Sequence, residues 1–110
     1  MNGVKNIFDA TVAVSGAEEF ATLFENPAVK IERIVSHSHS SPEGLWYDQS
    51  ADEWVLVVRG AATLEFAGGE LVEMNEGDHL LIPRHTRHRV RRTTDETIWL
   101  AVHVKEGNRQ

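Results

Sequence analysis

Residues 77–88, GDHLLIPRHTRH, decide how this chain is read. Gly77-Asp78 forms a turn, and His79–Ile82 follows as a short apolar strand. Pro83 closes that strand, and after a second turn His88 opens another. Upstream, residues 53–60 read EWVLVVRG: a carboxylate, Glu53, opens an apolar strand that Gly60 ends. Together the two segments set one carboxylate and one imidazole on paired strands of a small β-barrel.

Working outward, the rest of the chain after Pro27 carries strand signals. Val29–Val35 alternates, Ser40–Gly44 is a polar break, and Ala62–Phe66 and Leu71–Met74 flank Gly68-Gly69, a two-residue hairpin signal. Thr86–Arg92 and Thr97–Val104 supply the last two strands. Seven or eight short strands separated by turns predict a closed or sandwiched antiparallel fold. Before them, Ser15-Gly-Ala-Glu18 has capping-box spacing, and Phe20, Leu23 and Phe24 follow at helical intervals until Asn26-Pro27. This predicts one short amphipathic helix on the outside of the sheet. Residues 1–14 read as a loose arm, with Ala10–Val14 able to pair as an edge strand. The expected layout is an arm and helix over 1–28 and a barrel over 29–110, in one compact domain.

Composition narrows the function classes. There is no cysteine, which excludes disulfides, thiolate metal ligands and a thiol nucleophile. No run approaches the roughly 20 apolar residues that span a bilayer. The N-terminal stretch lacks a leader pattern, so a cytoplasmic setting is expected. A net charge of −6 opposes nucleic acid as a partner. Five of the eleven basic residues do fall between Arg84 and Arg92. Strand alternation, however, turns Arg87, Arg89 and Arg91 away from the His88 face, and no aromatics interleave to stack bases. A solvated strand paired with acidic neighbours is the expectation.

The spacing of Gly77, Pro83, the turn position His85, and His88 resembles the second conserved motif of the cupins, and Glu53 with Gly60 is similar to the second half of their first motif. The resemblance covers about residues 29–104. It implies an all-β, double-stranded β-helix (jelly-roll) barrel, here with one short N-terminal helix, often assembled as a homodimer. Family sites bind iron, manganese or a similar ion through three imidazoles and a carboxylate. This chain departs there: Tyr47 and Gln49 hold the His-x-His positions, His85 replaces a turn glycine, and Arg92 stands where Asn is common.

What the resemblance implies for function is a small-molecule site inside the barrel. Glu53 and His88 are the candidate catalytic pair, holding a divalent metal (Fe, Mn, Ni or Zn) with Gln49, or acting as acid and base without one. Tyr47, Gln49, Arg92 and His103 are the candidate ligand contacts. Arg92 shares parity with His88 at the cavity mouth, whereas His103 lines the cavity only if Trp99, Ala101 and His103 are the inward face of the last strand. The triplet His37, His39 and Glu43 has metal-motif spacing, but no apolar strand and closing glycine follow, so a solvated strand end is expected there. The competing class is a metal-free, non-catalytic binding or sensor module in which Glu53 and His88 merely satisfy each other. No motif selects a reaction or a substrate.

Overall fold

The computed structural model describes residues 3–9 and 15–105. Eight strands follow in order: β1 (Glu18–Glu25), β2 (Val29–His37), β3 (Asp52–Arg59), β4 (Ala62–Phe66), β5 (Leu71–Met74), β6 (His79–Ile82), β7 (His88–Thr93) and β8 (Asp95–Val104). They form two antiparallel sheets, one ordered β1-β2-β8-β3-β6 and the other β5-β4-β7. This is the all-β double-sheet barrel that the strand pattern predicts. The inner faces enclose Val55, Val57, Leu64, Ile82, Val90, Trp99 and Ala101. Each large apolar side chain among them stabilises the fold by roughly 1.5–3 kcal/mol through burial.

Turn chemistry fixes the register. Gly68 and Gly69 adopt φ of 104° and 99°, which tightens the β4–β5 hairpin, with the Gly69 amide donating to the Phe66 carbonyl at 3.0 Å. Gly60 has the stricter requirement. At its φ of +87°, an added Cβ would lie 2.7 Å from the Glu96 carbonyl oxygen and under 3 Å from the hydroxyls of Thr94 and Thr97. Only glycine lets β8 approach the end of β3 this closely.

The predicted short helix is corrected by the structure. No helix occurs among the described residues, and Glu18–Glu25 is a strand paired along β2 from Glu18↔Ser36 to Glu25↔Lys30. The apolar spacing misleads because Thr22 pairs with Glu32 while Phe24 pairs with Ile31, leaving Leu23 as an extra, bulged residue. The bulge reverses parity, so Phe20 shares the face of Ile34 and Phe24 that of Ile31, and no single period of two links the apolar residues. Asn26 ends a hairpin rather than a helix, its Oδ1 accepting from the amides of Ala28 and Val29 at 2.8 Å each. The expected edge strand at Ala10–Val14 lies outside the described residues.

Candidate functional site

Glu53 enters the barrel at the start of β3, where it pairs with Ile82 of β6 and His103 of β8. Residues paired directly across strands share a face, so His103 points inward with Glu53. The same alternation carries Trp99 and Ala101 inward, resolving β8 in favour of the face holding His103. His88 is not on a strand paired with β3, as the sequence suggests, but on the opposite sheet, where it opens β7 and bridges to Tyr47 through paired backbone hydrogen bonds of 2.7 and 3.1 Å. Tyr47, Gln49, Glu53, His88 and His103 thus converge on one cavity of about 80 Å³. Its walls are mostly apolar, including Ile34, Val55, Leu64, Val90 and Trp99.

The polar geometry centres on Glu53, which is 8% exposed. Its Oε1 lies 3.7 Å from His88 Nε2, and its Oε2 lies 3.9 Å from His103 Nε2. These are ion-pair distances beyond hydrogen-bond reach. His88 Nδ1 lies 2.8 Å from the Thr86 carbonyl oxygen. A carbonyl only accepts, so Nδ1 carries the proton, and in the neutral ring the Nε2 lone pair faces the cavity. His103 Nε2 sits 3.1 Å from Glu32 Oε1. Burial pushes the Glu53 carboxyl above its ordinary range; the imidazoles of His103 and His88 oppose this, and the charges of Glu32 and Glu18 add to it. Burial also raises the Tyr47 phenol, helped by the charges of Glu18 and Glu53, so Tyr47 stays neutral and able to donate a hydrogen bond.

Arg92 is placed elsewhere. Leu64 pairs with Val90 but Thr63 pairs with Arg92, so Arg91 is a bulged residue and the alternation of β7 inverts after it. Arg92 is exposed, does not line the cavity, and turns outward with Thr63, while Thr93 takes the inward position. The arginine strand otherwise behaves as its alternation predicts: Arg89 and Arg91 pair with Glu65 at 3.2 and 3.3 Å. His85 occupies its glycine position at a φ of 60° and sits 3.0 Å from Asp48 on the surface.

His37 and His39 do not join the site, and the solvated strand end expected for them is not what forms. Ser38, at a φ of 54°, breaks the strand. His37 is 1% exposed and is held between Glu19 Oε2 at 3.0 Å and Asp95 Oδ1 at 3.3 Å.

The residues missed from sequence are Glu18, Phe20 and Glu32, all lining the cavity. Glu32 carried a usable signal, since it shares parity with Ile34 and Ser36 and so puts a carboxylate on the inward face of an alternating strand. Glu18 and Phe20 were hidden by the helical reading of β1.

The donor set does not suit the family's metal ion. Two imidazole positions are taken by a neutral phenol and an amide, and His103 Nε2 is engaged by Glu32. No group of three or more His, Asp or Glu side chains among the described residues is arranged to hold a metal ion. The expected ligation by Gln49, Glu53 and His88 therefore gains no support from this geometry.

Two antiparallel sheets closed over an inward-facing polar cluster define a jelly-roll barrel protein. The model of the family described as "Cupin domain" matches residues 32–104, and the chain belongs to that family. A solved structure of a candidate mannose-6-phosphate isomerase from Ralstonia eutropha JMP134 is 42% identical with a TM-score of 0.88, over 96% of this chain and 100% of that one. A cupin superfamily protein from Desulfitobacterium hafniense DCB-2 is 16% identical with a TM-score of 0.74, over 87% of this chain and 84% of its own. An RmlC-like cupin from Shewanella frigidimarina NCIMB 400 is 16% identical with a TM-score of 0.70, over 86% and 82%. The latter two likenesses concern the fold alone. A search of curated proteins returns no significant match.

Proposed function

We propose that the protein binds a small polar organic molecule inside the barrel and that Glu53 and His88 act on it as an acid–base pair. The observation that supports this most is their opposition at 3.7 Å inside a mostly apolar cavity, with the His88 ring oriented by Thr86. In this reading His88 Nε2 accepts a proton from the ligand. Glu53, its carboxyl raised by burial, delivers one. Tyr47 and Gln49 orient the ligand from the same wall, and His103, steadied by Glu32, completes the polar end. A cavity of about 80 Å³ is well below the roughly 300 Å³ of a drug-sized pocket, so the enclosed part of the ligand is only a few heavy atoms. Proton transfer beside a carbonyl is the step an aldose–ketose isomerase performs, which agrees with the name of the Ralstonia protein. The reading also includes a homodimer, for which the outward residues Trp54, Leu56 and the exposed Leu81 offer an apolar face.

The test is hydrogen exchange at carbon. Small hydroxy-aldehydes and hydroxy-ketones are incubated with the protein in D₂O, and loss of the α-proton signal is followed by NMR. Exchange above background that disappears in His88→Ala and Glu53→Gln supports the proposal. Ligand binding without exchange in any compound would instead favour the non-catalytic binding module.

A further inference from the structure

The charge of the cavity lining goes further than the reading above, on which this inference rests. Three carboxylates line the cavity, Glu18, Glu32 and Glu53, together with two imidazoles and neither Arg nor Lys. With the rings neutral the lining carries three negative charges when Glu53 is ionised and two when it holds the proton it delivers. An anion entering this space meets the net negative charge of the lining, and a cation is attracted.

The carboxylates are not equally committed. Glu32 uses both oxygens, Oε1 with His103 and Oε2 with Lys30 Nζ at 3.4 Å. Glu18 Oε2 accepts from Ser36 Oγ at 3.0 Å, and its Oε1 lies 3.5 Å from His39 Nε2. Glu53 differs, because the ring nitrogens beside it stay at 3.7 and 3.9 Å, leaving its oxygens able to take donors from a ligand. An ionised carboxylate buried in this way is costly until donors arrive. The rings of Phe20, Tyr47 and Trp99 line the same cavity and add surfaces that tolerate a cation. Phe20 is half exposed, which places it at the mouth, where a longer ligand would leave the barrel.

We propose that the barrel is selective for a small organic cation, a molecule whose ammonium group donates hydrogen bonds to Glu53 while its carbon chain lies against the aromatic wall. A phosphate ester or carboxylate is a poor fit to the same lining. The substrate class suggested for this chain is thus an amino-bearing compound rather than an acidic one.

The test uses three probes of nearly equal size: 3-amino-1-propanol, 1,3-propanediol and 3-hydroxypropanoate. Each is titrated into the isotopically labelled full chain while the Trp99 indole and the His88 and His103 ring signals are followed by NMR. The aminoalcohol should bind at least about tenfold more tightly than the diol, equivalent to about 1.4 kcal/mol, with the hydroxyacid weakest. Glu53→Gln should abolish the preference, leaving the aminoalcohol no tighter than the diol, and Glu32→Gln gives a second reduction of lining charge should Glu53→Gln fail to fold. Equal binding of the diol or the acid would overturn cation selectivity yet leave the small-molecule site intact. If no probe moved the pocket signals, the site reading itself would fail along with the inference. Displacement of the aminoalcohol by stoichiometric Mn(II) or Zn(II) would overturn the organic cation in favour of a metal.

Discussion

Replacing Glu53 with Gln should stabilise the protein at neutral pH while removing its function. Burial raises the Glu53 carboxyl above its ordinary value of 4.5, because the imidazoles of His103 and His88 only partly offset the lost hydration. Below pH 4.5 the group is protonated in folded and unfolded chains alike and its ionisation does not bear on stability. As pH rises through 4.5 and then through the higher folded value, the unfolded chain releases its proton first, and the folded state loses ground. Gln has the shape of protonated Glu and no charge to desolvate. A buried polar group short of partners costs about 1–3 kcal/mol. The low end applies here because two imidazoles stand within 4 Å, at 3.7 and 3.9 Å. A gain of roughly 1 kcal/mol corresponds to about 4 °C in Tm for a domain of this size. Thermal unfolding of both proteins across the pH range reads this directly, and the gap should close toward pH 4.5. A Glu53→Gln protein that melts lower at neutral pH, or a gap that ignores pH, would refute the reasoning.

Three further outcomes are expected. Gly60→Ala should lose about 2–4 kcal/mol in urea unfolding, since it combines a left-handed backbone with a Cβ 2.7 Å from a carbonyl oxygen; a loss under 1 kcal/mol would mean that β8 yields easily. The hydrogen bond that His37 donates to Glu19 outweighs burial and, with Asp95 adding to it, raises the His37 imidazole above 6.5. Its contribution is therefore full below pH 6.5 and fades as pH climbs through the raised value, and Glu19→Gln should flatten that part of the stability profile. Arg92→Ala should leave ligand affinity unchanged where His88→Ala abolishes it, and a comparable loss in both variants would return Arg92 to the cavity.

The barrel was legible because its turns are chemically explicit. Gly60, Gly68-Gly69, Gly77 and Pro83 stand where strands must stop, and the alternation between them assigns faces correctly for Glu53, Val55, His88 and Val90. Pattern reading failed at two bulges, because an inserted residue reverses parity without leaving a mark in the sequence. Leu23 made a strand resemble a helix, and Arg91 sent Arg92 to the wrong side. The site was half legible for a related reason. Tyr47, Gln49, Glu53 and His88 came from motif positions, whereas Glu18 and Glu32 reach the cavity through pairing between distant strands, which spacing alone does not encode. His37 shows the same limit, since its burial depends on Glu19 and Asp95, each brought to it by tertiary pairing.

The bulge at Leu23 has a bearing on solubility. Among the described residues β1 is the outer strand of its sheet, and Phe20, Leu23 and Phe24 on it are each about half exposed. A straight apolar strand in that place would offer a template for stacking one molecule on the next. The extra residue breaks the flat run of backbone donors and acceptors, and the part-exposed carboxylates of Glu19 and Glu25 add mutual repulsion between approaching copies. Deleting Leu23 would restore an unbroken backbone ladder in β1, and with it a straighter margin along which chains could add end to end.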